Sequence, residues 1–399
     1  MNVLVVADGH YYQTPDGTVY AESVYDYTFY KRYLLSFDKV FAAIRVTQLN
    51  EKPLGKKMCS GENVTFLPLA PFSGAVGYAK NFFGLNKKIN EYISLCDCAV
   101  FRLPSITGNL FWKLYKKTSK PYAVEIVGDP WENFGSRETG NRIILSVARH
   151  SWTNTVKNAC RQANGASYVT ENYLQKRYPP RANSDKNAFT ASYSSVELPD
   201  DKFGETRIRT DIGKLKISHV SNCFNSYGKG HLVVMDAIRK VSDKGCDVEV
   251  TFVGDGPLLE KFREYSRKLG IENRVHFTGR LANSEAVRDC IRSSDLFILP
   301  TFAEGLPRAL LEAMAEGMPC LSSPVCGIPE ILDDAYLCDF DDSNGYADKI
   351  MYFYNNPDAM TEQSKLNLDV SKKYASSILN AKRKAFYDNL RDAAGAASK

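Results

Sequence analysis

Short hydrophobic runs alternate with longer amphipathic stretches along most of this 399-residue chain. The first run, Asn2–Ala7, reads NVLVVA and is almost entirely apolar. Continuous apolar runs of this length are typical of strands that are buried on both faces of a parallel sheet. The longer stretches between them are typical of the helices that cover such a sheet. The pattern therefore predicts an α/β fold.

The first half of the chain contains the elements of one such sheet. Strands are predicted at Asn2–Ala7, Lys39–Ile44, Cys98–Leu103, Tyr122–Val127 and Ser167–Thr170. Helices are predicted over Gly140–Gln162 and around Glu171–Tyr178. Prolines, serines, asparagines and charged residues then interrupt the alternation over Pro179–Asp211, which predicts the connection between two domains.

The second half repeats the alternation more regularly. Its predicted strands are Lys216–Val220, Val248–Val253, Arg274–Thr278, Asp295–Pro300 and Pro319–Ser322. Its predicted helices are His231–Val241, one that follows the turn Gly254–Pro257 and ends at Gly270, and a last one near Tyr374–Leu390. Each half therefore predicts a doubly wound parallel sheet, which binds ligands at the carboxyl ends of its strands. The predicted domains are residues 1–198 and 212–373.

Composition and charge narrow the classes of function. Hydrophobic residues make up 44% and charged residues 24%, which is typical of a globular protein. The net charge of +5 is too small to indicate nucleic-acid binding. Residues 1–200 contain 24 Lys and Arg against 17 Asp and Glu, whereas the remainder contains 27 against 29. The positive charge lies in the first half, so the two halves are expected to face different partners.

The ten cysteines are scattered, with no CxxC pair and no clustering with histidine. This spacing excludes the common zinc motifs and a disulfide scaffold, and free thiols are typical of a reducing compartment. The segment Met1–His10 lacks the features of a signal peptide, and no apolar stretch approaches the ~20 residues that span a bilayer. We therefore expect a cytoplasmic protein without a bound metal.

The segment 295–330 carries the candidate chemistry. A predicted strand ends at Pro300, a loop contains Glu304 and Gly305, and a helix begins near Pro307. The N-terminus of a helix is suited to binding a phosphate, and the small Gly305 just before it lets a ligand approach closely. Glu304 lies beside this predicted anion site, outside the helix.

The helix RALLEAMAEG is apolar nearly all round, yet it contains Glu312. Burying a carboxylate without a partner costs several kcal/mol, so this residue needs one, and ligand hydroxyls are one solution. Two acids beside a phosphate site suit a sugar nucleotide, whose sugars present hydroxyls and whose diphosphate presents charge. The alternative is that either acid is an ordinary surface charge.

The segment EGLPRALLEAMAEGMP, with Glu304 and Glu312 separated by seven residues and followed by GIPE at Gly327–Glu330, resembles the signature of family 4 glycosyltransferases of the GT-B fold. The VGDGP turn at Val253–Pro257, FTGRL at Phe277–Leu281 and Lys229-Gly230 match in the same order. The resemblance implies two Rossmann-like domains facing across a cleft, with the last helix (about 374–399) crossing back to the N-terminal, acceptor-binding domain. The segments YVTENYLQKRYP and PYAVEIVGDPW resemble members that build bacterial surface polysaccharides.

The resemblance also implies roles for individual residues. Glu304 would accept hydrogen bonds from the donor sugar, Glu312 would bind the ribose, and Lys229 would contact the diphosphate. Further donor-sugar and diphosphate contacts are expected from Asn222, Gly305, Leu306, Pro307 and Arg308, and ribose or base contacts from Gly254, Thr278 and Arg280. Transfer would retain the anomeric configuration and need no metal or other cofactor. The alternative to a ligand-binding role is that Lys229 is an ordinary solvated lysine, that Arg308 is a surface residue, and that Gly254 only forms a structural turn.

Most members of the family carry a histidine after the strand that corresponds to Tyr122–Val127, where this chain has Val127-Gly128-Asp129. Asp129 is therefore our candidate for a catalytic role on the acceptor side. The alternative is a helix N-cap or turn acid.

Residues 69–93 and 111–120 combine aromatic and apolar positions with lysines. Such stretches suit an anionic membrane surface, and family acceptors are often sugars on lipid carriers, although ordinary helices with solvated lysines are the alternative. Two rival functions stay open: a GT-B sugar-nucleotide epimerase or hydrolase, and a non-catalytic sugar-nucleotide-binding partner. A dehydrogenase is disfavoured because neither first strand-turn carries GxGxxG.

Overall fold

The computed structural model describes residues 1–22, 25–70, 82–133, 142–210 and 213–397. The chain divides into two compact units. Unit 1 contains Met1–Pro130, His150–Tyr193 and Asn380–Lys399, and unit 2 contains Trp131–Arg149 and Ser194–Leu379. Each unit is built on a parallel sheet, as the alternating pattern predicts. None of the described helices is both long and apolar enough to cross a membrane.

The parallel strands of unit 1 lie in the order β10-β9-β8-β7-β1-β4, and β6 also pairs with β4. The strand order reverses between β1 and β7, and a small antiparallel extension formed by β2, β3 and β5 joins β4. The strands are β1 Asn2–Val6, β2 Tyr11–Gln13, β3 Val19–Ala21, β4 Lys39–Gln48, β5 Lys57–Met58, β6 Val64–Leu69, β7 Cys98–Leu103, β8 Tyr122–Ile126, β9 Gly165–Tyr168 and β10 Phe189–Ser192.

Helices cover this sheet and connect its strands. They run over Tyr27–Lys31, Phe82–Ser94, Ile106–Tyr115, Pro130–Asn133, Arg142–Gln162, Tyr173–Arg177 and Ser376–Ala397, with short 3₁₀ turns at Arg32–Leu35 and Arg181–Asn183. The last helix contributes its residues from Asn380 onward to unit 1.

Two sequence predictions in unit 1 were wrong in detail. The strand predicted at Ser167–Thr170 lies two residues earlier, as β9. The segment Pro179–Asp211 is not simply a connection, because it contains β10, which pairs in parallel with β9. The strand β10 is an edge strand whose residues are half-buried or exposed, so it lacks the apolar run of the inner strands.

A buried ion pair lies at the centre of unit 1. Arg102 in β7 and Glu125 in β8 are register partners, with Nη1 and Oε2 2.6 Å apart. The hydroxyls of Tyr33, Tyr193 and Tyr387 also donate hydrogen bonds to the Glu125 carboxylate. Burial alone would raise the pKa of Glu125, but the charges of Arg102 and Arg32 and the hydrogen bonds from Tyr387 and Arg102 outweigh it and lower the pKa to about 2. Because Tyr387 lies in Ser376–Ala397, this contact fastens the last helix to the sheet.

Unit 2 contains a five-stranded parallel sheet in the order β13-β12-β11-β14-β15. The strands are β11 Leu215–Cys223, β12 Val248–Asp255, β13 Val275–Gly279, β14 Leu296–Leu299 and β15 Cys320–Ser322. The helices of this part of the chain are His231–Asp243, Leu259–Lys268, Ser284–Arg292, Arg308–Ala315, Ser343–Asn355 and Pro357–Lys372. The strand order reverses between β11 and β14, so the carboxyl ends of these two strands border the crevice in which such sheets bind ligands.

Candidate functional site

The candidate site is the carboxyl edge of the unit 2 sheet, where the strand order reverses. Lys229 lies in the loop after β11, and Glu304 lies in the loop after β14. A hydrogen bond of 2.9 Å from the Phe302 amide to the Gly228 carbonyl joins the two loops. The fold therefore brings together two residues that are 75 positions apart in the sequence.

Lys229 and Glu304 form an ion pair. The Thr301 hydroxyl lies 3.4 Å from both the Lys229 ammonium and the Glu304 carboxylate. Ser323 fixes Thr301, because its hydroxyl accepts from the Thr301 amide at 2.8 Å and donates to the Thr301 carbonyl at 2.6 Å. The side chains of Lys229 and Glu304 are 32% and 19% exposed, so both charges are accessible to a ligand. Sequence reasoning missed Thr301 and Ser323.

The helix Arg308–Ala315 begins beside this pair, directly after Pro307, as the sequence predicts. No side chain caps its N-terminus. The first N–H groups of a helix have no intrahelical partner, and they carry a partial positive charge. The preceding Gly305 and Leu306 are buried, and the Gly327 amide donates to the Gly305 carbonyl at 3.0 Å. The loop is thus held in place with its helix N-terminus available to an anion.

The acids in and just after this helix have contrasting surroundings. Glu316 is buried and paired with Arg288 and with Arg292, whose Nε lies 2.8 Å from Oε2. Glu312 is half-buried, and although its backbone carbonyl accepts from the Glu316 amide, no group of the described residues donates a hydrogen bond to its carboxylate. Burial raises its pKa, while the charges of Arg308 and Arg288 act in the opposite direction. Glu312 therefore retains the hydrogen-bonding capacity expected of a ligand-binding carboxylate.

Two glycines permit close packing around the site. Gly230 has φ 69° and precedes the helix His231–Asp243, and a side chain there would lie 2.5 Å from Pro300. Gly254 has φ 139°, and a Cβ there would lie 1.8 Å from the Ser221 carbonyl oxygen. Gly254 thus packs against the end of β11 that carries Asn222, and this contact supports the structural alternative for the turn.

The remaining predicted residues lie along the same edge of the sheet. Asn222 is exposed near the end of β11, and Thr278 and Arg280 are exposed at the end of β13. The Thr278 hydroxyl donates to the Gly279 carbonyl at 2.8 Å. Their exposure leaves them available to a ligand, and the part assigned to each stays a prediction.

Two buried histidines lie behind Lys229. His219 and His231 are fully buried, with ring centroids 4.6 Å apart, and His231 stacks on Phe262 at 4.4 Å. His219 Nδ1 donates to the Ile298 carbonyl at 2.9 Å, whereas neither ring nitrogen of His231 has a partner among the described residues. Burial lowers the pKa of His219 to about 4 and that of His231 to about 2. Both rings are therefore neutral packing elements of the site at pH 7.

Asp129 has different surroundings, in unit 1. Its side chain has 0% exposure. Arg177 Nε lies 3.0 Å from the carboxylate, and the hydroxyls of Tyr173 and Tyr178 donate to it. A carboxylate with these partners holds the fold together, so the geometry favours the structural alternative and lends no support to a catalytic role.

Sequence reasoning also missed a polar cluster where the strand order of unit 1 reverses. Asp8 follows β1 and accepts hydrogen bonds from the Ile106 amide and from the Thr107 amide and hydroxyl, at the start of the helix Ile106–Tyr115. Arg45 Nη2 lies 3.2 Å from Asp8 Oδ1. The N-terminus of this helix is therefore filled by a carboxylate of the protein itself. An acid directly after a buried first strand is the signal that could have pointed to it.

Comparison with known proteins agrees with this arrangement. Residues 214–356, which include Lys229, Glu304 and Glu312, match the family described as glycosyl transferases group 1. Protein CapJ of Staphylococcus aureus is 32% identical over 318 residues, covering 78% of this chain and 76% of CapJ. The lipopolysaccharide 1,6-galactosyltransferase of Salmonella typhimurium is 42% identical over 133 residues, which are 33% of this chain and 34% of that protein.

The fold is similar to that of HepE from Anabaena, determined in complex with UDP and glucose. The TM-score is 0.63 at 14% identity, and the similarity covers 100% of both chains. The protein therefore has the GT-B fold of glycosyltransferases, which confirms the predicted fold class. It belongs to family 4 of these enzymes, as the signature at Glu304–Pro319 predicts.

Proposed function

We propose that this protein is a retaining glycosyltransferase that moves a sugar from a UDP- or GDP-sugar to a glycan or lipid-linked saccharide in bacterial surface polysaccharide synthesis. One observation carries the proposal: the Lys229–Glu304 pair lies beside the uncapped helix Arg308–Ala315, and the carboxylate of Glu312 in that helix has no hydrogen-bond donor among the described residues. The UDP bound to the HepE structure and the name of the Salmonella relative support the donor class and the polysaccharide role.

Each group in this arrangement has a chemistry that suits one part of a sugar nucleotide. Glu304 would accept hydrogen bonds from the hydroxyls of the donor sugar, and Glu312 from those of the ribose. Lys229, Arg308 and the backbone of Gly305–Pro307 would hold the diphosphate. Asn222 would assist there, and Gly254, Thr278 and Arg280 would border the nucleoside. The positive charge comes from the protein, so we propose that the reaction needs no metal ion.

The proposed reaction is a transfer on one face of the donor sugar. The bond between the anomeric carbon and the diphosphate oxygen breaks, and a bond forms between that carbon and an acceptor oxygen. The acceptor proton passes to the departing diphosphate oxygen. Lys229 and the helix N-terminus stabilise the negative charge that develops on the diphosphate, which is the main contribution the protein makes to the rate. No nucleophile of the protein is required.

We further propose that the enzyme acts in the cytoplasm, at the inner face of the membrane. The helices Phe82–Ser94 and Ile106–Tyr115 contact one another in unit 1, and five lysines of these helices and the turn after them are exposed: Lys87, Lys88, Lys113, Lys116 and Lys117. Lys120 has a different role. Its ammonium donates hydrogen bonds to the carbonyls of Ile93 and Cys96 and so caps the carboxyl end of the helix Phe82–Ser94. Residues 71–81 of the basic amphipathic stretch lie outside the described residues. Salt-sensitive binding to anionic liposomes tests this proposal, and absence of binding at low ionic strength would reject it.

The main experiment is a screen of UDP- and GDP-sugars with a saccharide acceptor, with nucleotide release and product formation as readouts. Acceptor-dependent release is expected with one donor, and EDTA should not slow it. Donor hydrolysis or rearrangement without acceptor would indicate the epimerase or hydrolase alternative, and binding without turnover would indicate a binding partner. Glu304→Ala should lower transfer by about 100-fold or more while the melting temperature changes little. Full activity of this variant would contradict the assigned site.

A further inference from the structure

The direct contact between Lys229 and Glu304 has a consequence for ligand binding. A diphosphate that approaches the Lys229 ammonium also approaches the Glu304 carboxylate, because the two side chains are in contact. The Thr301 hydroxyl, 3.4 Å from both, holds them together, and Thr301 itself is fixed by Ser323. The positive charge of Lys229 is therefore accompanied by the negative charge of Glu304, which is opposite in sign and equal in magnitude.

The nucleotide-sugar donor and the nucleoside diphosphate product must both occupy the site, and they interact differently with the Glu304 carboxylate. A nucleotide-sugar places sugar hydroxyls beside its diphosphate, and each hydroxyl can donate a hydrogen bond to Glu304. A nucleoside diphosphate has no such donor, and its terminal phosphate monoester carries additional negative charge at neutral pH. Because Glu304 is only 19% exposed, solvent screens its repulsion of the phosphate incompletely.

We propose that Glu304, besides binding the donor sugar, discriminates against the spent nucleoside diphosphate and so promotes product release. This inference rests on the proposed function of the site. With the donor, sugar hydroxyls satisfy the carboxylate. Once the sugar has left, the same carboxylate has no sugar hydroxyl to bind, repels the terminal phosphate and competes with it for Lys229.

The test measures binding of UDP and GDP, without sugar, to the full-length chain by calorimetry. Glu304→Gln removes the charge but retains the shape, and it should bind the preferred nucleotide about tenfold more tightly than the wild type. Glu304→Ala should act in the same direction, and Lys229→Met should weaken binding. The gain in Glu304→Gln should shrink as salt is raised, because it is electrostatic.

Asp369→Asn is the matched control, because it changes the net charge equally at an exposed position of the helix Pro357–Lys372. Asn367 in the same helix binds the Met318 carbonyl ahead of β15, at the opposite edge of the sheet from Lys229. This variant should leave nucleotide affinity unchanged.

The outcomes separate the inference from the function on which it rests. If the wild type binds UDP or GDP but Glu304→Gln binds it equally or more weakly, the discrimination role is wrong and the proposed function stands. If the wild type binds neither nucleotide, both fail. Thermal unfolding of each variant verifies that the comparison is made between folded proteins.

Discussion

The points at which the strand order reverses in the two units differ in one respect. In unit 1 the helix Ile106–Tyr115 receives the carboxylate of Asp8, and its N-cap Ser105 accepts from the Gly108 amide. In unit 2 the helix Arg308–Ala315 has no side-chain cap. The same topology thus yields a helix N-terminus that the protein satisfies by itself and another that is available to an anion. This difference favours unit 2 as the unit that binds the diphosphate in the proposed function.

The carboxylates repeat the contrast. Glu125 and Asp129 in unit 1 are buried among guanidinium and hydroxyl donors, whereas Glu312 in unit 2 has no such donor among the described residues and Glu304 is partly exposed. A satisfied buried acid stabilises a fold, and a half-buried acid with spare acceptors is suited to a ligand.

The largest effect is expected at Glu125. Glu125→Gln leaves Arg102 charged and buried without its partner, which should lower the free energy of unfolding by about 3–5 kcal/mol. Urea denaturation measures the loss. In the wild type the pKa of Glu125 is about 2, so its contribution persists at neutral pH and disappears as the pH falls from about 4.5 toward 2.

Glu249→Gln is the control for this prediction, because Glu249 forms a partly exposed pair with Lys214 in unit 2. It should cost about 1 kcal/mol or less. Equal losses in the two variants would contradict the contrast between the units.

Asp129→Asn should lower the free energy of unfolding by about 2 kcal/mol, because the amide is a weaker partner for Arg177 than the carboxylate is. Transfer per folded molecule should stay within about threefold of the wild type. A loss of about 100-fold in the folded variant would instead restore the catalytic role considered for this residue.

The buried histidines should make stability fall on acidification. Unfolded histidines titrate near pH 6.5, whereas the pKa values of His219 and His231 in the folded chain are about 4 and 2. Unfolding therefore takes up protons below pH 6.5. Between pH 7 and pH 5, each of the two histidines should lower the free energy of unfolding by about 2 kcal/mol. His231→Phe, placed among aromatic rings, should halve this part of the pH dependence. An unchanged slope would show that His231 titrates normally.

The smallest effect is expected at Asp8. Asp8→Asn removes the charge from the N-terminus of the helix Ile106–Tyr115 and from Arg45, and it should lower the free energy of unfolding by about 1 kcal/mol. Affinity for UDP or GDP should change less than twofold, because the proposed nucleotide site belongs to unit 2. Weaker nucleotide binding would mean that unit 1 also holds the phosphate.

The inner strands could be predicted from the sequence because both their faces are buried. Cys98–Leu103 matches β7 to the residue, since its run of apolar residues, broken only by Arg102, is buried throughout. The three-residue strands β2 and β3 and the edge strand β10 have no such run and depend on the strands beside them. The family resemblance assigned Lys229 and Glu304 to one ligand site, and the structure adds the reason that they meet: each follows a strand that borders the same reversal of order.

The supporting contacts could not be predicted in the same way. Ser323 fixes Thr301 through hydrogen bonds across 22 residues, and nothing in either local sequence specifies them. The Arg102–Glu125 pair did leave a signal, because each residue is the one charged position in an otherwise apolar or aromatic strand. Its three tyrosine partners come from distant segments, and only the tertiary structure brings them together.

The hydrogen bond from Tyr387 to Glu125 affects the order in which the two units can fold while the chain is being synthesised. The ribosome completes residues 194–379, the major part of unit 2, before it makes the helix segment from Asn380 onward that unit 1 requires. The Glu125 carboxylate in β8 thus lacks its last hydroxyl donor, Tyr387, until some 260 further residues have been synthesised. We expect nascent chains halted before Tyr387 to protect β11–β15 from proteolysis while β7–β10 remain sensitive. In that order of events unit 2 forms first, and unit 1, which contains the start of the chain, is the last to be finished.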